Sequence, residues 1–193
     1  MKHHKILLLL ANGFEILEAS AFIDVMGWNL EEGDHSTKLY SCGLRRDVNS
    51  SFSHKFSVDC IVNEVNIDSF DALAIPGGFK NYGYYKDAYE KQFLKLIRGF
   101  RAKNKIIATV CVGALPLAKS GVLENKNGTT YNKIEYKETL KNYGVIISNK
   151  QIVVDDGLIT SNGPSTAVEV AFTLLEKLTS TENTAKVKKL MGF

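Results

Sequence analysis

A chain of 193 residues, 45% hydrophobic and 23% charged, has the size and composition of one globular domain with a substantial core. Its formal net charge is +3 and no Lys/Arg cluster stands out, so nucleic acid is not an implied partner. The three cysteines, Cys42, Cys60 and Cys111, form neither a disulfide framework nor a pair with metal-ligand spacing, which points to a reducing cytoplasm and to no bound metal.

Taken in chain order, the first element is Lys5–Ala11. Its apolar run is short, and Asn12, Gly13, Phe14 and Glu15 follow where a secretory signal would carry a small-residue cleavage site. It is too uniformly apolar for a strand with one wet face, so it predicts a central strand of a parallel sheet. A helix follows over about 15–30, with Ile16, Ala19, Phe22, Ile23 and Met26 on one stripe. Thr37–Ser41 predicts a second strand, and Phe52–Val62 alternates like a β excursion. Asp71–Ile75 is another buried strand, ended by Pro76-Gly77-Gly78, and a charged amphipathic helix spans about 87–103. Lys105–Val110 is the next buried strand, with Cys111 at its end and a helix over 112–119 that holds Pro116 near its first turn.

The later chain predicts a short helix over 134–142 and a hairpin, 151–154 with 158–161, around a turn containing Gly157. Pro164 opens a helix to about Leu178, and a last one covers 184–190. No segment is long enough to span a membrane, and no interdomain linker divides residues 1–193. Strands alternating with helices predict one α/β domain, a mostly parallel sheet with helices on both faces. Sites in such folds lie at the C-terminal strand ends, where three loops converge: Asn12–Glu18, Pro76–Phe79 and the turn at Cys111.

Each loop has two readings. A thiol at a strand-to-helix turn is exposed as a nucleophile, and helix N–H groups favour its thiolate; a free cysteine is equally a small buried hydrophobe. Gly77 and Gly78 aim backbone N–H groups at a developing oxyanion, or they form an ordinary turn. Glu15 and Glu18 share a helix face, where carboxylates also sit for dipole reasons alone. The only histidines are His3, His4, His35 and His54, and none follows Cys111. A Cys-His pair with a downstream histidine, as in class I glutamine amidotransferases, is therefore excluded. Val112 likewise replaces the adjacent histidine of related peptidases. A carboxylate is the better acid-base partner, with His54 the alternative.

Together, residues 10–26 (LANGFEILEASAFIDVM), 71–79 (DALAIPGGF), 106–123 (IIATVCVGALPLAKSGVL), 128–132 (GTTYN) and 158–178 resemble the ThiJ/PfpI superfamily. The likeness is to the branch of the parkinsonism-associated deglycase and redox chaperone. It implies a flavodoxin-like three-layer sandwich, usually a homodimer, with no cofactor. It implies Cys111 as reactive thiol and Glu18 as pocket carboxylate, with Gly77, Gly78 and the Val112 N–H bordering an oxyanion site. Gly163 and Pro164 would form pocket wall near a dimer interface. Phe22, Met26 and Trp28 are the candidate dimer surface. The expected chemistry is attack on a small reactive carbonyl compound, or oxidation by peroxide as a protective, chaperone-like redox response. A Glu18–Cys111 pair sharing one proton would have a raised carboxyl pKa and a lowered thiol pKa. The family's glyoxalases carry a histidine after a Thr-Thr pair; here that position is Tyr131, a poor base near neutrality.

Overall fold

The computed structural model describes residues 3–193. The strands are β1 (His4–Leu10), β2 (Thr37–Gly43), β3 (Asp47–Asn49), β4 (Lys55–Ser57), β5 (Cys60–Ile61), β6 (Ala72–Ile75), β7 (Ile106–Thr109), β8 (Asn127–Gly128), β9 (Ile146–Ile147), β10 (Ile152–Asp155) and β11 (Leu158–Ser161). The helices are α1 (Ile16–Glu32), α2 (Tyr84–Ala88), α3 (Lys91–Ala102), α4 (Ala114–Lys119), α5 (Ile134–Asn142), α6 (Ala167–Leu178) and α7 (Thr181–Met191).

Seven strands form the central sheet in the order β10-β11-β7-β6-β1-β2-β5. All pairings are parallel except the β10–β11 hairpin. The apolar run of β1 lies between β2 and β6 with Ile6 through Leu9 sealed from solvent, as a strand covered on both faces must be. Helices α1, α6 and α7 pack together on one side of this sheet, while α2, α3 and α4 pack on the other. This is the expected α/β sandwich.

Several boundaries differ from expectation. The helix predicted over 87–103 is two, α2 and α3, broken at Tyr89–Glu90. The β excursion begins earlier, as the hairpin β3–β4, and its tip bends through left-handed conformations at Phe52 and Ser53. Residues 164–166 and 111–113 form single tight turns ahead of α6 and α4. In α1, Phe22 and Met26 are wholly buried in the protomer's own core, which removes them from the candidate dimer surface; Leu17, Ile23 and Trp28 are the exposed apolar residues.

The strand order reverses direction at β1 and β6: β1 leads outward to β2, and β6 leads to β7 on the other side. A crevice is expected beyond the carboxyl ends of strands at such a switch point. The loops after β1, β6 and β7 meet there. Glu15 N–H donates to the Gly77 carbonyl at 2.9 Å, and Val110 N–H donates to Ile75 at 3.2 Å. The first loop is further held by Asp87, which accepts from the Asn12 N–H at 2.9 Å and pairs with Arg45 at 2.7 Å.

Candidate active site

Cys111 occupies the junction between β7 and α4. Its φ is 57°, in the left-handed region that costs a residue with a side chain about 1–2 kcal/mol. The turn holding it is over-determined. Gly113 follows because a Cβ there would lie 2.6 Å from the Ile75 carbonyl oxygen. The Thr130 hydroxyl donates to the Cys111 carbonyl at 3.0 Å from the far side. Cys111 is buried, 8% exposed as a residue, and it lines a cavity of about 390 Å³.

Glu18, in the first turn of α1, is 0% exposed. Its Oε2 accepts the Gly77 N–H at 2.6 Å, and Oε1 has no well-aligned partner. The Cys111 thiol lines the same cavity and is coupled electrostatically to this carboxyl. Burial pushes the Glu18 carboxyl up to about 8, against the opposing pull of the Gly77 N–H. That direction favours the protonated carboxyl over the carboxylate. Partial burial raises the neighbouring Glu15 as well.

The thiol differs from expectation. Burial pushes Cys111 up, and a charged Glu18 adds to that; the Val112 N–H is the main influence drawing it down. The helix N-terminus is outweighed because α4 is only six residues long and the sulfur is shut away from water. Proton position decides the rest. With Glu18 neutral, its repulsion of a thiolate disappears and its O–H becomes a donor to sulfur.

The cavity is lined by Glu15, Glu18, Gly78, Cys111, Val112, Tyr131 and Pro164, all expected at the site. Gly77 and Gly163 stand one layer behind. The Gly77 N–H is already used by Glu18, so it does not face the cavity as an oxyanion donor; a Cβ there would lie 2.9 Å from the Val112 nitrogen. Gly163 supports the Tyr131 ring, which a Cβ at 163 would touch at 3.5 Å. His54 sits on the excursion, away from this lining, and among the described residues no histidine faces the cavity.

Phe79, the end of the expected 76–79 loop, also lines the cavity; sequence reasoning missed Lys80, Asn81, Lys133 and Tyr136, which complete the lining, and two buried supports. One is Thr130; the other is Tyr84, whose hydroxyl donates to the Pro76 carbonyl at 2.8 Å. The Thr-Thr pair before Tyr131 was the visible signal for Thr130. Nothing local marks Tyr84.

A family model described as the DJ-1/PfpI family matches residues 4–177. The chain belongs to the DJ-1/PfpI family. This DJ-1/PfpI domain is 30% identical to the deglycase PfpI of Pyrococcus furiosus over 83% of its own length and 90% of the relative's. It is 31% identical to an uncharacterized protein of Methanocaldococcus jannaschii, covering 66% of the chain and 65% of that protein. The domain spans only 40% and 46% of two Arabidopsis thaliana DJ-1 homologues. Among solved structures, Drosophila melanogaster DJ-1beta superposes with a TM-score of 0.84 at 29% identity, covering 98% of this chain and 97% of that one. The flavodoxin-like architecture of the family is thus the architecture here.

Proposed function

We propose that this protein is a Cys111-dependent enzyme acting on small reactive carbonyl compounds, in the manner of a glyoxalase or deglycase. The observation that carries the reading is the juxtaposition of a strained cysteine and a fully buried carboxyl, its proton affinity raised by that burial, in the lining of one cavity. Relatives named deglycases at about 30% identity support it.

In this reading the pair reacts from the state that holds one proton, on Glu18: the Cys111 thiolate adds to an aldehyde carbon, and Glu18 transfers its proton to the carbonyl oxygen as the carbon–sulfur bond forms. The hemithioacetal oxygen lies toward the Val112 N–H. Glu18, now a carboxylate, takes the proton from the former aldehyde carbon and returns it to the adjacent carbon of a 2-oxoaldehyde, while the hydroxyl proton on the first oxygen passes to the second through the enediol, leaving a thioester carbonyl and a 2-hydroxyl. The resulting thioester is hydrolysed by water, which frees the thiol and a 2-hydroxy acid. The test is lactate formation from methylglyoxal by purified protein. Activity is expected in the wild type and a loss of at least 100-fold in Cys111→Ala, about the scale of a lost covalent or acid-base step. Activity surviving that substitution sinks the mechanism.

A second reading has its own observation. The cavity offers Tyr131 where the family's glyoxalases place a histidine, so slow turnover leaves peroxide as the main reactant of Cys111. Oxidation to sulfinate, held by the Val112 N–H and the Glu18 O–H, would then signal oxidative stress. Intact mass after mild peroxide separates the two: two oxygens at Cys111 with no carbonyl turnover selects the sensor. We further infer a homodimer in the cytoplasm, with the exposed Leu17, Ile23 and Trp28 of α1 as its contact surface.

A further inference from the structure

The two remaining cysteines lie outside the cavity lining, at the β2–β5 edge of the sheet. Cys42 is near the end of β2, Cys60 opens the edge strand β5, and the two are registered partners across the parallel ladder. Registered residues on neighbouring parallel strands direct their side chains to the same face, with backbones about 4.8 Å apart, inside the Cα range of roughly 4.4–6.8 Å that a disulfide spans. Each thiol is close enough to the other to shift its proton affinity. The Cys60 S–H also reaches the Ser41 carbonyl at 3.6 Å. Cys42 is sealed in the core, whereas Cys60 is partly exposed. The pair is therefore asymmetric: one sulfur meets solvent, and the other waits behind it.

We propose that Cys42 and Cys60 form a reversible intramolecular disulfide, a redox site separate from Cys111. Peroxide is the oxidant. The Cys60 sulfur attacks one peroxide oxygen, giving a sulfenic acid and a first water. The Cys42 sulfur then attacks the Cys60 sulfur, the S–S bond forms, and the hydroxyl leaves as a second water with the Cys42 proton. Two thiols lose two electrons and one peroxide gains them. A small disulfide such as oxidised glutathione reaches the same product by two exchanges, releasing two thiols. Burial holds both cysteines mostly as thiols, so the conversion is slower than oxidation of an exposed thiolate.

The bond would close residues 43–59 at their base. That segment carries the hairpin β3–β4, and its tip, Phe52, stacks on Phe79 and Tyr82 with ring centroids 5.6 and 5.7 Å apart. Phe79 also lines the cavity. Oxidation at the sheet edge thus staples the arm whose far end lies at the cavity mouth.

The experiment uses the full-length Cys111→Ser chain, which leaves only this pair. Folded protein is treated with peroxide, or separately with oxidised glutathione, then denatured, alkylated and weighed intact. The expected result is loss of both alkylation adducts, a mass two hydrogens below that of the reduced, unalkylated chain, and one cross-linked peptide pair containing residues 42 and 60. Dithiothreitol should restore both adducts. In the same background, Cys60→Ser and Cys60→Ala should each leave Cys42 fully alkylated. Sulfinate or a glutathione adduct on Cys60 with Cys42 still free overturns the proposal. So does a disulfide-linked dimer, or a cross-link that forms only in denaturant.

Discussion

Glu18 is the residue on which the electrostatics turn. Its folded-state proton affinity, near 8, stands well above that of an unfolded glutamate, whose ordinary value is 4.5. Between those values the folded chain holds a proton that the unfolded chain has lost. Stability should therefore fall as pH rises through this window, by up to about 1.4 kcal/mol per pH unit from this one group. Glu18→Gln cannot ionise and keeps an acceptor for the Gly77 N–H. Urea unfolding should find it more stable than wild type at pH 8.5, with the advantage shrinking toward pH 5. A constant difference across that range contradicts the assignment. Glu18 and Cys111 were legible as candidates from their places after β1 and β7. The direction of the thiol's shift was not, because it depends on burial by groups distant in sequence, including Glu18 itself.

The elements around the site explain how a left-handed cysteine is kept. The turn between β7 and α4 is pinned by a close approach at Gly113 and by the Thr130 hydroxyl on the Cys111 carbonyl. Thr130→Val keeps shape and removes the donor, leaving a buried carbonyl without that partner. A stability loss of about 1–3 kcal/mol is expected, with a changed rate of Cys111 alkylation. Unchanged stability and unchanged alkylation would show that the turn holds itself. Long elements were the readable ones. The unbroken apolar run of β1, the alternation with helices and the turn around Gly157 predicted the sheet and its antiparallel edge. The two-residue pair β8–β9 and the break between α2 and α3 were not readable, because two residues carry no periodicity and a helix interrupted at Tyr89–Glu90 keeps its apolar face.

At the scale of the whole molecule, one sheet carries the two proposed chemistries at different places. The switch point between β1 and β6 assembles the cavity, and the β2–β5 edge holds the cysteine pair. The helical layer of α1, α6 and α7 is tied by a buried hydrogen bond of 2.6 Å from Asn183 to Asn29, two residues that a sequence reading has no means to connect. The same layer presents Leu17, Ile23 and Trp28 outward, after Phe22 and Met26 are used inside. Sedimentation of the wild type should report a dimer, and Ile23→Glu with Trp28→Glu should report a folded monomer. A wild-type monomer, or a dimer indifferent to those charges, removes this surface from the account. The expectation of a dimer came from family resemblance, and choosing its surface needed knowledge of which apolar residues the core had already taken.

The central claim is that the Glu18 carboxyl and the Cys111 sulfur compete for a shared proton, and the pH dependence of Cys111 alkylation tests it most directly. Rates are measured from pH 5 to 10 in a chain carrying Cys42→Ser and Cys60→Ser, with and without Glu18→Gln. The wild-type pair should give a profile broadened beyond a single ionisation, with an inflection near pH 8 where Glu18 loses its proton and its new charge opposes the thiolate. Glu18→Gln should collapse that profile to one simple ionisation. Superimposable curves for the two proteins would contradict the coupling and the mechanism built on it.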